Sequence, residues 1–111
     1  MDFPERDWKH LRAVQPAALA RYCERVLDEA TAVIHAREEP AHARYLRLFR
    51  LLKERDRVLG NAFDDMRRST ALRRVAALVG LGVLTDAELA GFTPEVRDSA
   101  VALSELLSRE P

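Results

Sequence analysis

Apolar residues recur along this chain at intervals of three and four, and nowhere do they alternate as a strand requires. The pattern predicts an all-α fold: a compact bundle of five to six helices built on a long antiparallel helical hairpin, about 16–37 and 40–60, with residues 1–111 forming a single helical domain. A short first helix is expected from Pro4 through Trp8, Leu11 and Val14, after which Pro16 resets the chain, because proline is disfavoured beyond the first helical turn. In the second helix, about 16–37, Leu19, Tyr22, Cys23, Val26, Leu27, Ala30, Val33 and Ile34 share one face. Arg21, Glu24, Arg25, Asp28, Thr31 and His35 take the other. At 1.5 Å per residue this helix is roughly 33 Å long. Arg25 stands at the spacing that pairs with Asp28 and Glu29.

Glu38-Glu39-Pro40 opens the third helix, and Gly60-Asn61 reads as its stop. Tyr45, Leu48, Phe49, Leu52 and Leu59 form its expected core face. Residues 62–68 read as a loop or a single turn. Ser69 or Thr70 then caps a fourth helix carrying Leu72, Val75, Ala76 and Val79, ended by Gly80 and Gly82. Thr85-Asp86-Ala87-Glu88 is a capping box, with Leu84 and Leu89 at hydrophobic-staple spacing, and Gly91 closes the short helix it starts. Thr93-Pro94-Glu95 starts the last helix, striped by Val96, Ala100, Leu103 and Leu107.

Charge changes the picture. The formal total is zero, yet residues 44–74 hold ten bases against four acids, while both flanks are net acidic. Sixteen arginines against two lysines reflect, at least in part, the codon usage of a GC-rich gene. Codon usage does not place them in the middle. The basic candidates for partner binding are Arg47, Arg50, Lys53 and Arg57 on the third helix, with Arg67, Arg68, Arg73 and Arg74 after it.

Candidate chemistry is sparse. A lone cysteine, Cys23, excludes an internal disulfide framework and sits within an apolar stripe, where a thiol is a small hydrophobe. His10, His35 and His42 have no paired spacing for a metal, and no cofactor is expected. Asp64 and Asp65 are a candidate carboxylate pair for acid–base or Mg²⁺ chemistry, and acids ahead of a helix more commonly serve its dipole. With no catalytic constellation, an enzyme is not expected. No run is long enough for a membrane span, and the acidic, mixed beginning does not read as a signal peptide, so a cytoplasmic protein without a membrane partner is expected.

Two binding readings remain. Arginines along one helix face can track phosphates, which makes nucleic acid a candidate partner. Residues 72–91 have the outline of a helix-turn-helix, but Asp86 and Glu88 sit where its recognition helix would meet the backbone. Gly82–Leu89 resembles the turn of short bacterial C-terminal oligomerisation modules, and an ordinary capped corner accounts for it equally. The favoured reading is a non-enzymatic interaction protein, an adaptor or regulatory subunit that forms a homodimer and meets another protein with an acidic surface. Leu46, Leu51 and Val58 lie outside the expected core face of the third helix and are the candidate dimer contacts.

Overall fold

Five α-helices account for most of residues 2–109, which the computed structural model describes: α1 (Glu5–Ile34), α2 (Ala41–Phe63), α3 (Ala71–Leu81), α4 (Asp86–Ala90) and α5 (Pro94–Ser108). A single 3-10 turn, Arg68–Thr70, leads into α3, and the described residues contain no strand. The long antiparallel hairpin is present as α1 and α2.

Its first member differs from expectation. Helix α1 does not restart at Pro16 but runs through it for 30 residues. A proline inside a helix costs about 3 kcal/mol. Against that, Leu11, Val14, Ala18 and Tyr22 form one buried stripe straddling the proline. Each large side chain buried there contributes about 1.5–3 kcal/mol, so a break that misaligned the two halves would lose more than it saved. Pro16 itself faces solvent.

The helices divide unevenly between a body and an arm. In the body, α3 packs most extensively on α5 and also meets α1, and buried residues of all three helices share one core. Leu11, Val75, Leu78, Val83, Phe92 and Val96 are fully enclosed there. The end of α2 joins this core through Ala62 and Phe63, and so α2 passes Gly60-Asn61 and continues to Phe63. Beyond the body, the second half of α1 and most of α2 project as a two-helix arm, giving a molecule of 52 × 28 × 23 Å.

Local signals at the body's corners act as read from the sequence. Gly82 adopts a left-handed conformation, φ 68°, and the Val83 N–H returns to the Leu78 carbonyl at 3.3 Å, a Schellman stop that drops Val83 into the core. At α4 the Thr85 hydroxyl accepts from the Glu88 N–H at 3.1 Å, and the Glu88 carboxylate accepts from the Thr85 N–H at 2.9 Å. The start of α5 carries a partner that spacing does not reveal. Asp7, fully buried in the first turn of α1, accepts from the Thr93 N–H at 2.7 Å and from its hydroxyl at 2.8 Å. A carboxylate at a helix N-terminus also meets the positive end of its dipole.

His10 pins the α4–α5 corner. Its Nε2 lies 2.6 Å from the Glu88 carbonyl, which can only accept, so this nitrogen carries the proton. Its ring meets Phe92 edge to face at 4.6 Å. A Cβ on Gly91 would fall 2.3 Å from that ring. Gly91→Ala must therefore displace His10, and we expect a loss of about 1–3 kcal/mol by urea unfolding. Gly80→Ala meets nothing closer than Ser104 Cβ at 4.0 Å. That change is expected to be neutral or to stabilise by up to about 1 kcal/mol, the helix-propensity gain.

Candidate interaction surface on the helical arm

Helix α2 carries two parallel stripes one residue, about 100°, apart. The inner stripe is Arg44, Leu48, Leu51, Arg55, Val58 and Ala62, all buried or half-buried. The outer one is Tyr45, Phe49, Leu52, Asp56 and Leu59, each four or three residues from the last, the spacing of a heptad seam. The inner stripe meets α1. The Tyr22 hydroxyl donates to the Arg55 carbonyl at 2.9 Å, and Arg55 forks onto Glu29 with bonds of 2.8 and 3.1 Å. Leu51 lines a groove with Ala32 and Val33.

This placement corrects the expected core face. Tyr45, Phe49 and Leu52 are 64%, 57% and 43% exposed, not buried, and only Leu48 and Leu59 of that set are half-covered. Leu51 and Val58, the candidate dimer contacts, instead turn inward, while Leu46 stays exposed on the outer flank. The same division runs along α1. Tyr22 and Val33 are buried, whereas Leu27 and Ile34 are 57% and 46% exposed. In α5, Leu107 likewise lies open to solvent.

The two outer stripes lie on one side of the arm. Between them runs an apolar groove of about 360 Å³, lined by Cys23, Val26, Leu27, Leu52, Asp56 and Leu59. Cys23 is half-buried in it as a free thiol. Toward the tip, Tyr45 stacks with His42 at 6.5 Å. Lys53 lies 5.9 Å from the centre of the Phe49 ring, over an otherwise open aromatic face.

The central arginines are mostly taken up within the chain. Arg47 pairs with Glu39, Arg57 with Glu54 at 2.6 Å, and Arg67 with Asp65 at 2.6 Å. Arg68 reaches Glu5 at 2.7 Å and the Phe3 carbonyl at 2.9 Å. Arg74 donates to the Asn61 carbonyl at the end of α2. Of the eight basic candidates, only Arg50, Lys53 and Arg73 form no ion pair and reach no other element among the described residues.

Several arginines bind the last carbonyls of a neighbouring helix, where no basic residue stands in the helix's own final turn. Arg44 donates to the Ile34 carbonyl at 2.7 Å, closing α1 from α2. Arg25, expected to pair with Asp28 and Glu29, crosses instead to the Leu81 carbonyl and to that of Gly82 at 2.6 Å, closing α3 from α1. Arg21 joins the Val83 carbonyl at 2.8 Å to the Glu88 carboxylate at 2.6 Å.

Other candidate chemistry stays dispersed. Asp64 ends α2, Asp65 takes a left-handed turn conformation beside Arg67, and the described residues hold no cluster of histidine, cysteine or carboxylate suited to a metal. No described helix is long and apolar enough to cross a membrane. Comparison of the chain with family models, with curated proteins and with solved structures finds no match.

The ion pairs give the fold a pH dependence. Arg21, and then the Thr85 N–H, hold the Glu88 carboxyl below its ordinary 4.5, and Arg55 does the same for Glu29. A carboxyl that is more acidic when folded stabilises above the unfolded value, and that stability is lost as pH falls through the folded value. Thermal stability should therefore drop on acidification below about pH 4.5. Glu88→Gln should flatten part of that acid limb while lowering the melting temperature at neutral pH; an unchanged limb would assign the dependence elsewhere.

Proposed function

We propose that this chain is a non-enzymatic interaction protein that forms a homodimer through the outer face of its helical arm. The supporting observation is the apolar stripe of Leu27, Ile34, Tyr45, Phe49 and Leu52, carried by two helices with no third helix to cover them. A contiguous exposed patch of this kind marks an association surface. Two such hairpins placed face to face bury both stripes in a four-helix bundle, the usual way helical hairpins complete a core. Ten large side chains per dimer, at on the order of 1 kcal/mol for the half that each still exposes, offset an association cost of about 4–15 kcal/mol.

The working surface proposed is thus the apolar face of α2 and not its arginines. A partner with an acidic surface, or nucleic acid, would be left with Arg50, Lys53 and Arg73 as the unengaged cations among the eight candidates. An adaptor or regulatory role would then present the two bodies of the dimer to other proteins.

Light scattering at tens of micromolar is expected to give the mass of a dimer. Phe49→Asp should weaken self-association at least about a hundredfold, because it removes the largest apolar side chain of the seam and adds a second carboxylate there beside Asp56. Since Phe49 is already exposed, helicity by circular dichroism should not change. A wild-type monomer at that concentration would reject the homodimer.

A further inference from the structure

We propose that the two arms pack around a two-fold axis parallel to their length, with α1 of each copy against α2 of the other and Lys53 standing between Glu24 and Asp28 of the second copy. This rests on the homodimer reading and specifies its geometry. Two hairpins can meet face to face in only two symmetric ways. With the axis along the arm, both arms point the same way and α1 covers α2 of the second copy. With the axis across the arm, the arms point oppositely, and each helix covers its own equivalent.

The edges of the apolar face distinguish these arrangements. On α1, Glu24 lies about 80° outward from the stripe of Cys23, Leu27 and Ile34, and Asp28 about 120° outward. On α2, Lys53 lies about 75° outward from Tyr45, Phe49 and Leu52, followed by Arg57 and Arg50. One border is acidic and the other basic. Glu24, Asp28, Arg50 and Lys53 are all exposed, and none forms an ion pair among the described residues. They are unpaired charges flanking the apolar face, and Asp56, within the α2 stripe itself, is likewise exposed and forms no ion pair among the described residues.

Heights along the arm agree with the first arrangement. Leu27 and Leu52 line the same groove, as do Cys23 and Asp56. With the Tyr22 hydroxyl on the Arg55 carbonyl and Leu51 beside Ala32 and Val33, this sets Lys53 within about one helical turn of Glu24 and Asp28 along the arm. A two-fold along the arm preserves level, so it brings Lys53 to both carboxylates of the second copy. A two-fold across the arm sets the acidic border on the acidic one and the basic on the basic, where like charges repel.

The test is the sign of a charge reversal. In sedimentation equilibrium, Lys53→Glu should weaken the dimer about tenfold, from two symmetry-related contacts, with Lys53→Gln weakening it less. Glu24→Lys combined with Asp28→Lys should also weaken it, and joining both changes to Lys53→Glu should restore it toward wild type. A dimer that Lys53→Glu tightens or leaves unchanged overturns this packing while the homodimer stands. A wild-type chain that stays monomeric, or whose face is occupied only by a helix of another protein, overturns both. Exposed charges carry all these changes, so circular dichroism should report an unaltered fold.

Discussion

The structure depends on α1 being one continuous rod. Its first half supplies a wall of the body, with Leu11, Val14, Ala18 and Tyr22 enclosed by α3, α5 and the end of α2. Its second half leaves that body and forms the arm with α2. Pro16 is the natural place for a break, and a break there would free the arm to swing. The buried stripe that passes straight across the proline holds the two halves in line, so the apolar face of the arm has a defined direction relative to the body.

Arginine secures this frame from the side. Arg25, Arg44 and Arg74 donate to the final carbonyls of α3, α1 and α2, each from a different helix than the one it closes. A guanidinium offers five donors on a long stem, which suits it to reach across a helix pair and satisfy carbonyls that have no partner in their own helix. Much of the central positive charge is thereby structural. It balances helix ends and acids of the same chain, and among the charges it leaves unpaired are Glu24, Asp28, Arg50 and Lys53 beside the arm's apolar face.

Elements governed by near neighbours were legible in the sequence. The Thr85 capping box, the Gly82 stop and Pro94 opening α5 are each local, and the structure repeats them. The hairpin was legible too, though not its extent, because Pro16 carries a local penalty that a non-local core outweighs. The orientation of α2 was not legible. Two stripes offset by one residue both have helical spacing, and the bulkier one, with Tyr45, Phe49 and Leu52, reads as core. What turns the other inward is long-range: the Tyr22 hydroxyl on the Arg55 carbonyl and Glu29 on Arg55. The role of Asp7 was not legible for the same reason, since its partner Thr93 lies 86 residues along the chain. The excess of apolar residues on α2 was legible, but of Leu46, Leu51 and Val58 the last two pack toward α1, and the exposed stripe lies about 100° round the helix from them.

The central claim is that the arm's outer face is covered by a second copy, while the body is complete in one. Amide hydrogen exchange followed over a range of protein concentrations measures both parts in one experiment. Dilution should speed exchange across residues 23–34 and 45–57, as dimers dissociate and the two-helix arm frays, while amides of α3 and α5 keep their protection. Arm protection that does not change with concentration would contradict the claim.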